Sequence, residues 1–247
     1  MDIPREHNPQ YSAWFVTDVI HAMENYGLMD AGGKVGVALS GGRDSVTLLY
    51  ILWYIRRYSH MGFDLCAIHV RIDDYDTSVL RSLCDCLDVP YIETDLEVNL
   101  KSFPRSPCSL CAAFKRGAMA RALEGTGTGT VAFGHHADDA AETLLMNIVY
   151  NRRLSTLAPK VVVPEGTFTI IRPLVYLTGS LVRRLHRHFR LPVLEYSCPH
   201  GEKGSRALMR LAIARIEELA DLRDFSRNVV AALENVDYPS LWPSLRV

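Results

Sequence analysis

"VALSGGRDSVTLLY", residues 37–50, decides how this chain is read. An apolar run leads into two glycines, and an apolar, helix-forming run follows at once. That order is a strand, a tight turn and a helix. Glycines without side chains let the backbone come close to an anion. The helix start adds unpaired N–H groups and the positive end of the helix dipole, so a phosphate fits there. Ser40 and Ser45 add hydroxyls, and Arg43 adds a fixed positive charge. Neither the GxxxxGK[ST] phosphate loop nor the GxGxxG dinucleotide fingerprint is present. A bare strand–helix turn capped by Ser40, with Asp44 in its first turn, needs only one of these features. The full Ser-Gly-Gly-x-Asp-Ser string asks for a function.

The chain around this loop has 247 residues, 48% of them hydrophobic, enough for one large domain and a small appendage. Lys and Arg number 27 against 28 Asp and Glu, for a net charge of −1. A globally basic nucleic-acid coat is therefore excluded, and any nucleic-acid contact must come from local patches. The longest apolar run, "VTLLYILWYI" at 46–55, is too short to cross a bilayer. "MDIPREHNPQ" has no secretory pattern. Six cysteines without such a signal point to reduced thiols and a cytoplasmic location.

Periodicity predicts a helix over 11–26, strands at 34–40, 64–72, 90–96, 130–136 and 168–174, and helices near 44–58, 76–87, 109–123, 137–150, 178–190 and 205–220. Residues 97–107 read as a loop. Alternating strands and helices predict an α/β, doubly wound, mostly parallel sheet with helices on both faces. Ligands of such sheets bind at the carboxyl ends of the strands. Residues 1–30 read as an N-terminal helical segment, 31–222 as the main domain with the cysteine pair and 223–247 as a C-terminal tail.

A second motif, "FGHHADDAAETLLMN" (133–147), places His135, His136, Asp138, Asp139 and Glu142 at a strand end and a first helical turn. Carboxylates there suit Mg²⁺ on bound phosphates; they equally suit a helix dipole. Adjacent His residues on a strand point to opposite faces, so one metal does not take both.

Together the two motifs resemble the PP-loop ATP pyrophosphatases, the adenine nucleotide alpha hydrolase-like fold. "GHHADDAAETLLMN" is similar to the motif of the tRNA 2-thiocytidine synthetase (TtcA-like) branch, and the likeness runs from about residue 30 to about 215. Arg43 stands where Lys is common, and Ala137 where Arg is usual. The resemblance implies ATP and Mg²⁺, with Ser40, Gly41, Gly42, Arg43, Asp44, Ser45, Gly134, His135 and Asp139 holding the nucleotide. It implies Asp44, Lys115 and Asp138 as catalytic residues. The reaction implied is tRNA thiolation: adenylation of a base oxygen, release of pyrophosphate, and displacement of AMP by sulfur.

"SPCSLCAAFKRG" (106–117) carries Cys108 and Cys111 at a loop-to-helix junction, where both thiols can face one centre. Lys115, Arg116 and the helix start favour thiolates. Cys198, in "YSCPHGEKGSR", is the third well-placed thiol. Three thiolates suit an iron–sulfur cluster with one iron free; adding His200 would make a zinc set. The resemblance favours a [4Fe-4S] cluster on Cys108, Cys111 and Cys198, with Lys115 one helical turn on. Cys66, Cys84 and Cys86 read as small core residues. Cations cluster at 101–121, in "NRRLSTLAPK" (Arg152, Arg153, Lys160) and in "LVRRLHRHFR". The family further implies a tRNA substrate, a sulfur donor (a cysteine desulfurase or sulfide) and a homodimer. Two alternatives stay open: the same adenylating chemistry on a small molecule or another RNA base, and a nucleotide sensor bearing zinc or a cluster.

Overall fold

Val35 and Val37 are wholly buried on the first strand, β1 (Lys34–Ala38). The computed structural model describes residues 1–72, 74–96, 107–163, 168–194 and 204–242, with the side chains of 107–109 left out of that description. Before β1, a short π-helical turn (Ser12–Val16) leads into α1 (Thr17–Asn25). After it come α2 (Arg43–Tyr58), β2 (Asp64–Arg71), α3 (Ser78–Leu87), β3 (Tyr91–Asp95) and α4 (Pro107–Leu123). The second half holds β4 (Thr130–Ala132), α5 (Ala137–Asn151), β5 (Lys160–Val162), β6 (Thr169–Ile171), α6 (Gly179–His188), α7 (Ser205–Leu219) and α8 (Phe225–Glu234).

The six strands lie in the order β3-β2-β1-β4-β6-β5, all parallel except β5, which runs antiparallel on β6. The chain winds outward from β1 in one direction and from β4 in the other. The topological switch therefore falls between these two strands, and a crevice opens beyond their carboxyl ends. Alternation along the strands builds two cores. Val35, Val37, Leu65 and Ala67 face α1, α2, α3 and α6, while Cys66, Ile68, Val70, Val131 and Ile170 face α4. Helix α2 is buried on every side from Ser45 to Ile55, as expected of an apolar-all-round helix in the middle of a domain. Cys66 and Cys84 are buried free thiols in these cores, and Cys86 is a half-buried one.

Three expectations change. The predicted strands at 34–40 and 130–136 stop at Ala38 and Ala132, because the chain leaves the sheet where the two motifs begin. Strand β5 escapes prediction: it is three residues long, exposed throughout, and shows no alternation. The segment 223–247, read as a tail, contains α8, whose Val229 packs with Ala141 of α5 and Ile213 of α7. The N-terminal segment also joins the main core. Phe15 meets Phe189 with ring centroids 5.8 Å apart, and Tyr50 meets the same ring at 4.1 Å.

Candidate active site

Gly41 has φ +81°, a conformation that favours glycine, and a β-carbon there would lie 2.3 Å from Leu194 Cδ1. The loop thus turns back sharply between β1 and α2. Gly42 is extended and precedes the first helical residue. Ser40 Oγ donates to Ser45 Oγ (3.1 Å), and Ser45 Oγ donates to the Gly42 carbonyl (2.8 Å). The hydroxyls and the helix-start N–H groups of the first motif therefore gather at one point.

The second motif docks against that point. A β-carbon on Gly134 would sit 2.9 Å from the Asp44 backbone, so only glycine lets the β4 loop come this close to α2. His136 then caps α5: its backbone N–H donates to Asp139 Oδ2 at 3.0 Å. Its ring Nε2 lies 3.5 Å from Asp139 Oδ2 and 4.0 Å from Asp44 Oδ2. The other oxygen of Asp139 accepts from Arg206 (2.9 Å). With both oxygens engaged, Asp139 is a structural anchor. Asp138 lies against Gly179 at the start of α6 and retains the freer carboxylate oxygens, whereas Asp44 Oδ1 accepts from Arg43 Nε at 3.3 Å. Glu142 is buried, accepts from Arg210 at 2.7 Å, and its carboxyl is pushed upward by burial.

The two histidines part, although the strand ends before them at Ala132. His135 stacks on Phe133 (5.8 Å, planes within 5°), and its Nδ1 accepts from Arg172 Nε at 3.2 Å. Burial lowers its pKa to about 4, so the ring is neutral at pH 7. With Nδ1 occupied as an acceptor, the ring proton sits on Nε2, which becomes a donor.

A cleft of about 480 Å³ runs from this junction to α4. Ser40, Asp44, Ser45, Gly134, His135 and Asp139 close one end. Ala38, Ile68, Val70, Met119 and Phe133 form an apolar wall, and Lys115 and Arg116 of α4 stand across from the loop. A slot with an apolar wall and an anion-binding end suits a nucleotide. The third turn of α4 therefore lines the same cleft as the glycine loop, and Cys108 and Cys111 fall in the first two turns. Cys111 is a half-buried free thiol. The Cys108 side chain and Cys198 lie outside the described residues. Both flanks of the Cys198 segment are nevertheless fixed at this cleft. Leu194 N donates to the Gly41 carbonyl (2.9 Å), and Arg206 holds Asp139.

Three contributors were not singled out from sequence. Arg172, buried at 8% exposure on the cleft wall, holds His135 and the Ala158 carbonyl. A charge inside the apolar "FTIIRPL" was its signal. His69 is buried under the loop and its Nδ1 meets the Leu39 carbonyl at 2.7 Å. Arg206 has no local signal, because Asp139 is far away in sequence.

Residues 15–216 match the PP-loop domain family. A tRNA-cytidine(32) 2-sulfurtransferase of Syntrophotalea carbinolica is 32% identical over 225 residues, which are 87% of this chain and 86% of that protein. One from Stenotrophomonas maltophilia is 34% identical over 215 residues, covering 81% and 72%. Among solved structures, the U34-tRNA thiolase NcsA from Methanococcus maripaludis, with its [4Fe-4S] cluster, superposes with a TM-score of 0.71 at 21% identity, covering 93% of this chain and 83% of that one. At that identity the likeness is one of fold.

Proposed function

The chain belongs to the PP-loop domain family and, within it, to the tRNA-cytidine(32) 2-sulfurtransferases; on that premise we propose that it exchanges the C2 oxygen of a tRNA cytidine for sulfur, consuming ATP. The observation that carries this reading is the single cleft that joins the glycine loop to Lys115, one turn from the cysteine pair.

ATP lies with its base on the apolar wall and its phosphates on residues 40–45. The free N–H groups at the start of α2, the Ser40 and Ser45 hydroxyls and Arg43 bind the phosphate oxygens. Asp44 and Asp138 would hold Mg²⁺, which would supply positive charge to offset that of the leaving pyrophosphate. The cytidine C2 oxygen attacks the α-phosphorus, and the bond between the α and β phosphates breaks. Sulfur at the sulfide level then bonds to C2 with its own electron pair, the C2–O bond breaks, and AMP departs with the oxygen. His135 donates from Nε2 toward the nucleotide, Asp139 positions the β4 loop, and Lys115 stabilises negative charge at the reacting oxygen.

The residues present fit an iron–sulfur cluster. Cys108 and Cys111 are three apart on one helix and so share a face. No acid stands in the first turn of α4, and two cations follow in the third. The flanks of the Cys198 segment converge on the same cleft. When bound by these three thiolates, a [4Fe-4S] cluster would supply an iron for the sulfur in transit. The reading extends to residues 31–222 as the catalytic unit, a homodimer, a cytoplasmic location and sulfur from a cysteine desulfurase or sulfide. Among the described residues no helix is long and apolar enough to cross a membrane.

Anaerobic purification with iron and sulfide analysis tests the cofactor. We expect about four irons per chain, lost in Cys198→Ala; stoichiometric zinc without iron overturns it. Incubation with ATP, Mg²⁺, sulfide and unmodified tRNA tests the reaction. The expected products are AMP, pyrophosphate and 2-thiocytidine in digested tRNA. AMP release without thiolated cytidine would move the substrate elsewhere.

A further inference from the structure

Beyond the cleft, α5 ends in a surface that neither ATP nor the cysteines use. Residues 143–163 contain Arg152, Arg153 and Lys160 but no Asp or Glu. Lys160 is tied to the Gly27 carbonyl. Arg152 and Arg153 are exposed and enter no ion pair among the described residues. Beside them Tyr150 is 49% exposed and Leu154 62% exposed.

This is a rigid display. Asn147 Nδ2 donates to the Ser155 carbonyl (2.8 Å) and to Ser155 Oγ (3.1 Å), its Oδ1 accepts from Asn151 (2.8 Å), and its carbonyl accepts from Arg153 N (3.0 Å). Thr156 Oγ1 donates to the Ala140 carbonyl at 2.5 Å. Arg152 itself takes a left-handed conformation, φ 51°, at the turn. The chain then runs back along α5 to Leu157, which lines the cleft together with Lys115 and Arg116. From Asp138 to Arg152 the helix rise amounts to ~21 Å. A small substrate does not span that distance, whereas several nucleotides of RNA do.

We propose that Tyr150, Arg152 and Arg153 form the docking platform for the tRNA strand that flanks the target cytidine. The two guanidinium groups take backbone phosphates, and the Tyr150 ring stacks on an unpaired base. The inference rests on the tRNA reading above. Paired phosphates favour guanidinium forks, and unstacked bases favour exposed aromatic rings. The acid-free stretch is what makes the patch complementary to RNA rather than to an acid-and-base-mixed protein surface.

The test is tRNA affinity, measured by fluorescence anisotropy over a potassium chloride series, for the wild type, Arg152→Ala/Arg153→Ala, Arg152→Lys/Arg153→Lys and Tyr150→Ala. Loss of two phosphate contacts weakens affinity about tenfold and flattens the log–log salt slope by about 1.4; the Lys pair restores the slope. Tyr150→Ala costs at least about fivefold, the low end for base stacking. ATP binding without tRNA stays at the wild-type value, which also shows that the variants fold. Unchanged affinity and slope, with a wild type that binds tRNA, overturn the platform and leave the tRNA reading standing. A wild type that does not bind tRNA overturns both. If Tyr150→Ala instead abolishes self-association in light scattering with tRNA affinity intact, the face belongs to a second copy of the chain and the platform is overturned.

Discussion

Gly41→Ala should damage the protein for two separable reasons. The first is backbone conformation: at φ +81° an L-residue costs ~1–2 kcal/mol. The second is contact. The new β-carbon would stand 2.3, 2.5 and 2.9 Å from three side-chain carbons of Leu194, far inside the ~3.5–4.0 Å of a relaxed carbon pair. Leu194 cannot simply withdraw, because its N–H holds the Gly41 carbonyl at 2.9 Å. Overpacking of this kind costs ~1–3 kcal/mol. The sum, ~2–5 kcal/mol, lowers Tm by roughly 5–15 °C in a domain of this size. A double-mutant cycle with Leu194→Ala separates the terms. In the double variant the 2.3 and 2.5 Å contacts disappear while the 2.9 Å contact to the β-carbon of residue 194 and the backbone cost stay, so the two substitutions should be non-additive by up to ~1–3 kcal/mol. Urea unfolding supplies the free energies, and calorimetric titration of ATP supplies the functional readout. Because Leu194 leads into the segment of Cys198, the same cycle reports whether the glycine loop and that segment are coupled. A Gly41→Ala protein of wild-type stability, or strict additivity with Leu194→Ala, would refute the reasoning.

Acid should weaken the fold through His135. Its folded pKa, about 4, lies below the ordinary 6.5, so the unfolded chain takes up the proton first and stability falls as pH drops from about 6.5 toward 4. The loss approaches ~3 kcal/mol, and His135→Asn should remove that component of the pH dependence of urea unfolding. Arg210→Met leaves the buried Glu142 with only the longer Arg206 contact of 3.7 Å; we expect ~1–3 kcal/mol of destabilisation in urea, recovered in part by Glu142→Gln in the same chain. Lys115→Ala should lower thiolation of tRNA by about a hundredfold or more while ATP affinity changes less than about threefold, as single-turnover assays and titration would show. Equal losses in both would assign Lys115 to nucleotide binding alone.

The glycine loop was legible because it packs several requirements into a few adjacent residues. An apolar strand, two glycines, hydroxyls and a helix start all fall within 37–50, and each has a local physical reason. The alternation of strands and helices was legible for a similar reason, since buried parallel strands read as apolar runs. Strand β5 was not, being short, exposed and defined only by its partner β6. Helix α8 hid in a segment whose apolar residues make sense only against α5 and α7. Of the cleft, Ser40, Asp44, Ser45, Gly134, His135 and Asp139 were found by motif. Arg172 was passed over, though a lone cation in an apolar strand is a readable sign of a buried, partnered charge.

The sequence by itself determined the class of fold, the phosphate-binding loop and the identity of the thiols, because those depend on neighbours in the chain. Only the tertiary structure decided which carboxylate is free. Asp138 and Asp139 are adjacent and chemically alike, yet Asp139 is consumed by the His136 cap and by Arg206, and Asp138 lies open against α6. It also decided that His135 is a neutral donor and that Lys115 faces the glycine loop across the cleft. Those properties arise from burial and from partners brought together over long stretches of chain, and no local pattern of residue types encodes either.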